Sequence, residues 1–126
     1  MPDLGDKIPI LVVDDDEFIL GTFTQFLQSR DFTSVTASNV SSAIEILEKR
    51  QIYAVISDMD MPGGKSGIDL HRYMLEHACK PGLVIMTGRN LTPAEQAYVS
   101  KYDIALLEKP FSIQALEELL DMITPD

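Results

Sequence analysis

Three carboxylates, one ammonium and one hydroxyl carry the chemistry this sequence suggests: Asp14, Asp15, Asp58, Lys109 and Thr87. An aspartate oxygen can attack phosphorus and form an aspartyl phosphate. The transfer needs in-line positioning and stabilisation of charge on the equatorial oxygens, which a metal ion, an ammonium and a hydroxyl can supply. Carboxylates crowded together resist full ionisation unless a cation neutralises them, so a cluster of Asp14, Asp15 and Asp58 asks for a metal. Magnesium suits such a site because it takes one or two carboxylates and keeps waters and phosphate oxygens as its other ligands. Manganese prefers the same oxygen donors.

Residues so far apart in the chain can meet only through the fold. Short β-rich runs at residues 8–13, 33–37, 53–57, 83–86 and 104–107 alternate with longer segments of helical spacing, the pattern of parallel strands joined by crossover helices. Mostly continuous apolar character suits strands covered on both faces. The first helix should bury Ile19, Phe23, Phe26 and Leu27, and the second Ala43, Ile46 and Leu47. A third, from Gly67 to about His77, should turn Ile68, Met74 and Leu75 inward before Pro81-Gly82 breaks the chain. Thr92-Pro93-Ala94-Glu95 reads as an N-cap, a proline at the first helical position and a capping-box acid. Ser112 caps the last helix, whose stripe is Ile113, Leu116, Leu119, Leu120 and Ile123.

The expected fold is therefore α/β: a flavodoxin-like, three-layer (βα)5 domain with a parallel five-stranded sheet. In such sheets ligands bind beyond the carboxyl ends of the strands, where strand order reverses. Asp14 to Asp16 follow the first strand, Asp58 the third, Thr87 the fourth and Lys109 the fifth. An order of 2-1-3-4-5 makes the first and third strands neighbours and brings Asp14 and Asp15 to Asp58. Asp16 is better placed as an acid at a helix N-terminus.

Composition agrees with one globular unit. The 126 residues are 45% hydrophobic and 24% charged, enough for one core and too few for two ordinary domains. A formal charge of −10 opposes unaided binding to nucleic acid or an anionic membrane. Residues 1–7 are polar and lack a secretory apolar region, and no run is long enough to span a bilayer, so a cytoplasmic location is expected. Cys79 has no cysteine partner, and with His71 and His77 it is too sparse for structural zinc.

Four segments together closely resemble the receiver domains of two-component response regulators: residues 10–17 (ILVVDDDE), 57–63 (SDMDMPG), 86–88 (MTG) and 108–111 (EKPF). The likeness runs over nearly the whole chain, in order and at family spacing. It implies that Asp58 is the phosphoacceptor, that Asp14 and Asp15 serve the metal, and that the Asp60 backbone carbonyl is a further ligand. It implies that Lys109 and Thr87 contact phosphoryl oxygens, that Gly88 is kept small, and that the Lys109-Pro110 peptide is cis. It further implies a sensor histidine kinase or histidine phosphotransfer protein as donor, a downstream effector protein or fused domain as target, and room for homodimerisation on phosphorylation. The sequence is read as one receiver domain over residues 1–126 with no effector domain visible, and not as an enzyme beyond its own phosphorylation and autodephosphorylation.

Other readings compete. A receiver used as a phosphorylation-independent binding module is one, and a phosphatase of related topology with Asp60 as its second acid is another. Asp58, Asp60, Gly63, Ser66 and Asp69 fall at calcium-loop positions, but Pro62 occupies position five and a strand precedes the loop. Gly64-Lys65-Ser66 lacks the first glycine of a phosphate-binding loop, where Met59 stands. The chain also departs from the family: Leu106 replaces a usual aromatic residue, Tyr102-Asp103 stands where many members have Gly-Ala, and the loop at residues 63–66 is one residue longer. Asp60 and Arg89 are placed to pair across the mouth of the site.

Overall fold

A computed structural model describes residues 8–123; residues 1–7, with their polar start, lie outside the described residues. Five strands, β1 (Ile10–Val13), β2 (Ser34–Ala37), β3 (Ala54–Asp58), β4 (Gly82–Thr87) and β5 (Ala105–Glu108), form one sheet in the order β2-β1-β3-β4-β5. All four pairings are parallel. The helices between and after them are α1 (Glu17–Ser29), α2 (Val40–Lys49), α3 (Gly67–Glu76), α4 (Pro93–Lys101) and α5 (Ile113–Ile123), with a short 3-10 turn at Pro62–Gly64.

Strand side chains alternate between two cores because successive residues point to opposite faces. Ile10, Val12, Ala54, Ile56, Val84 and Met86 pack with Phe23, Phe26 and Leu27 of α1 and Leu116, Leu119 and Leu120 of α5. Leu11, Val13, Val55, Leu83 and Ile85 pack with residues of α2, α3 and α4 on the other face. The result is the expected three-layer, flavodoxin-like fold. Phe23 is 1% exposed, and truncating such a core aromatic to alanine costs about 3–5 kcal/mol.

The expected strands agree with those observed to within two residues at each end, but continuous burial holds only for the three central ones. The edge strands β2 and β5 are partly exposed along their length. In α3 Ile68 and Met74 turn inward as expected and Leu70 joins them, whereas Leu75 is 49% exposed. One residue turns a helix by about 100°, which carries Leu75 off the buried face. Ile113, expected inward, is 58% exposed at the start of α5.

The caps are as the sequence indicates. The Thr92 hydroxyl accepts from the Glu95 N–H and the Glu95 carboxylate accepts from the Thr92 N–H, closing the box at α4. Ser112 Oγ accepts from the Ala115 N–H. Asp103 holds the left-handed position after α4, φ 53°, a conformation that asparagine, aspartate and glycine tolerate best.

Candidate phosphoacceptor site

Register places the site. Val13 pairs with Ser57, Asp58 with Met86, and Thr87 with Glu108, so residues at the carboxyl ends of four strands share one edge. The Asp14 N–H donates to the Ala37 carbonyl, continuing the β1–β2 ladder, and Asp14 is fully buried. Its Oδ1 accepts from the Asp16 N–H at 3.0 Å, while Asp16 caps α1 by accepting from the Phe18 N–H at 2.9 Å. That local arrangement leaves Asp15 exposed beside the cluster. Lys109 is held by its N–H, which donates to the Thr87 carbonyl at 2.8 Å. The cis Lys109-Pro110 peptide follows, and Phe111 sets its ring 5.3 Å from Phe23 in the core.

One carboxylate oxygen from each of Asp14, Asp15 and Asp58 can be chosen so that all lie within 4.8 Å of one another. Lys109 Nζ stands 2.9 Å from Asp14 Oδ2 and 3.3 Å from Asp58 Oδ1. Burial first, and then the Asp14 charge, push the Asp58 carboxyl above its ordinary range, and Lys109 offsets only part of this. Burial opposes the charge on Lys109, but its hydrogen bond to Asp14 and the nearby Asp58 raise its pKa above the ordinary value. One ammonium thus faces two carboxylates with a third alongside. An all-oxygen donor set with excess negative charge fits a hard divalent cation.

Thr87 is nearly buried, and its hydroxyl serves its own loop. It donates to the Arg89 carbonyl at 2.9 Å and accepts from the Arg89 N–H at 3.2 Å. The Asp60 carboxylate turns away from the acid cluster to Arg89, which donates from Nε at 2.9 Å and from Nη2 at 2.8 Å. The pairing expected across the mouth is therefore present, and Arg89 also bonds Glu95 at 2.8 and 2.9 Å. Hydrogen bonds from Arg89 hold the Asp60 carboxyl below the usual carboxylate range. Those from Arg89 and the Thr92 N–H take Glu95 down to about 2.

Two contributors were not found in the sequence. Glu95 was already accounted for as a capping acid, so nothing marked it as the partner of Arg89. Gly67 opens α3, and a Cβ there would lie 2.8 Å from the Asp58 backbone carbonyl. Only glycine lets α3 approach β3 so closely. Gly88, in contrast, has room for a methyl group, whose nearest neighbour would be Lys109 Cβ at 3.8 Å.

The alternative sites come apart. Asp69 accepts from the Ser66 N–H in the α3 capping box and Asp60 is taken by Arg89, so the calcium-loop positions do not converge. His71 bonds the Tyr98 hydroxyl at 2.7 Å, and His77 contacts the Tyr73 carbonyl at 3.0 Å. Cys79 packs at the edge of the core. Leu106 is 43% exposed.

Residues 10–121 match the response regulator receiver domain family. The chain belongs to that family. It is a receiver domain of the two-component type. Among its relatives, the heme response regulator HssR of Staphylococcus saprophyticus is 30% identical over 84% of this chain and 46% of that protein. The transcriptional regulatory protein FixJ of Bradyrhizobium diazoefficiens is 27% identical over 89% of this chain and 54% of its own length. This receiver thus spans about half the length of those relatives. A receiver domain protein of Clostridium thermocellum is 28% identical with a TM-score of 0.77, covering 92% of this chain and 93% of its own. The signal receiver domain of an HD domain-containing protein of Pseudomonas fluorescens, at 23% identity, has a TM-score of 0.83 over 98% and 90% of the two chains.

Proposed function

We propose that this receiver domain accepts a phosphoryl group on Asp58 from a phosphohistidine of a sensor histidine kinase or histidine phosphotransfer protein, in a magnesium-dependent reaction. The supporting observation is the convergence of the Asp14, Asp15 and Asp58 carboxylates on one point, with Lys109 against Asp58. An Asp58 oxygen attacks phosphorus as the P–N bond breaks. The bonding pair stays on the imidazole nitrogen. Lys109 holds its ammonium beside the developing charge. Magnesium, or manganese, when held by the Asp14, Asp15 and Asp58 carboxylates and the Asp60 carbonyl, supplies positive charge for the phosphoryl oxygens.

Thr87 gives the switch. To donate to a phosphoryl oxygen its hydroxyl must leave the Arg89 carbonyl, and the loop that carries Arg89 and leads into α4 must adjust. The charge state of Asp58 is thereby coupled to α4 and β5, and through them to an effector protein or fused domain, with homodimerisation on phosphorylation as one output. In this reading residues 1–126 are one receiver domain in the cytoplasm, acting without direct contact to nucleic acid or membrane. Its only catalysis is its own phosphorylation and autodephosphorylation. Among the described residues no helix is long and apolar enough to cross a membrane.

The test is incubation with acetyl phosphate and magnesium. The protein gains one acid-stable, base-labile phosphoryl group by mass, and Asp58→Asn gains none. Equal labelling of parent and Asp58→Asn moves the acceptor elsewhere. No labelling of either favours a phosphorylation-independent binding module, and turnover of phosphate monoesters favours a phosphatase.

A further inference from the structure

Among the described residues, five of the eight exposed large hydrophobics, Ile8, Tyr53, Leu75, Tyr102 and Met122, line two open clefts at the amino end of the sheet. The clefts measure about 770 and about 650 Å³ and share Tyr53, Cys79 and Pro81, so they form one trough. Its floor is apolar, including Ile52 and Leu83. On one rim stand Lys49, Arg50 and Lys80. These three make no ion pair among the described residues, whereas Arg30, Arg72, Arg89 and Lys109 each do. Glu48 is the acid on the same rim, contacted by the Tyr73 hydroxyl at 3.3 Å. The carboxyl ends of α2 and α3 each add roughly half a negative charge. On this rim the three cations still leave a local surplus of roughly one positive charge, with Asp103 the acid of the far cleft, on a chain whose net charge is −10.

We propose that this trough docks an acidic peptide segment of a partner protein, one that also carries aliphatic or aromatic side chains. Apolar side chains fill the floor and carboxylates meet Lys49, Arg50 and Lys80. The surface is separate from the phosphoryl site. Four steps along β3 from Ala54 to Asp58, at about 3.3 Å each, put the trough about 13 Å from Asp58, at the opposite end of the strand. A docked segment leaves Asp58 open to its donor, so this surface can hold a partner in either phosphorylation state.

The probe is a fluorescein-labelled peptide of alternating glutamate and leucine, read by anisotropy, with glutamate–serine and lysine–leucine peptides as controls. The glutamate–leucine peptide binds saturably, more weakly as salt rises, and more tightly than either control. Lys49→Glu, Arg50→Glu and Lys80→Glu combined weaken it about tenfold, the sum of three modest rim charges. Leu75→Ser, at an exposed position, weakens it without unfolding the domain, as checked by circular dichroism. Amide shifts on binding fall at Ile52, Tyr53 and Leu83 and not at Asp58. Acetyl phosphate still labels the triple variant, and Asp58→Asn still binds the peptide, which separates this surface from the acceptor. Absence of saturable binding, affinity unchanged in the triple and Leu75→Ser variants, or shifts confined to the Asp58 end overturns the proposal. Charge-reversal-sensitive binding to phosphatidylserine vesicles with none to the peptide assigns the trough to lipid and overturns it as well.

Discussion

The acid pocket around Asp58 and helix α4 both depend on charged side chains, but they are fastened in different ways. Asp14, Asp58 and Lys109 project from strand ends whose backbones are paired on neighbouring strands, and Asp14 is fully buried. Helix α4 buries only Val99. It is held at its start by the partly exposed Arg89 bonds to Asp60 and Glu95, and nearer its end by the contacts of His71 with Tyr98 and Tyr102. Partly exposed pairs are worth little each, whereas buried strand pairing resists local opening. The pocket is thus a fixed constellation, and α4 is an element that a modest change in interaction energy can shift.

The largest expected effect lies in the pocket. Asp15→Ala removes one member of the oxygen cluster, and magnesium affinity measured by titration falls by at least about tenfold, since even outer-shell partners of a metal are worth that much. Lys109→Ala leaves the affinity largely intact. An unchanged affinity in Asp15→Ala would show that the pocket is not the metal site.

Gly67→Ala tests how fixed the pocket is. The added methyl meets the Asp58 carbonyl at 2.8 Å, so either β3 or α3 must shift. Urea unfolding should show a loss of about 1–3 kcal/mol, and labelling of Asp58 should slow. A neutral result in both assays would mean that β3 is more compliant than its pairing suggests.

Effects at α4 should be smaller. Arg89 and Asp60 stand at the mouth, where they can obstruct the water that attacks an aspartyl phosphate. Arg89→Ala and Asp60→Asn should each shorten the life of the phosphoryl group, by a few-fold at most because a partly exposed pair is weakly held. The measurement is loss of label after donor removal at fixed magnesium. Equal lifetimes in all three proteins would remove the pair from any role in gating water.

The smallest effect concerns pH. Burial lowers the pKa of His71 from its ordinary 6.5, so the folded protein binds that proton less readily than the unfolded chain. The stability tied to neutral His71 is full above about pH 6.5 and declines as pH falls through that value toward the folded pKa. His71 contributes a fall in Tm over this range, absent in His71→Gln. If His71→Gln shows the same slope, the contact does not hold α4 through the neutral imidazole.

Residue type and order along the chain determined much of this protein. Asp14, Asp15, Asp58, Thr87 and Lys109 were legible because alternating apolar runs locate strand ends, and the carboxyl ends of a parallel sheet share one edge. The Thr92 cap and the Asp60–Arg89 pair were legible too, the first because capping is local and the second because both residues lie two positions beyond site residues. What spacing could not report is which partner wins when several are near. Lys109 stands closer to Asp14 than to Asp58, Arg89 divides itself between Asp60 and Glu95, and the Thr87 hydroxyl is occupied by its own loop. Gly67 makes no side-chain signal at all, because its contribution is the absence of atoms against a strand nine positions earlier. The exchange of Leu75 for Leu70 in the core is similar: both are leucines on one helix, and only the sheet on which α3 rests sets the rotation that buries one of them. Local periodicity is written in the chain, but distances between separate strand ends depend on register and on how closely the layers pack, which exist only once the chain has folded.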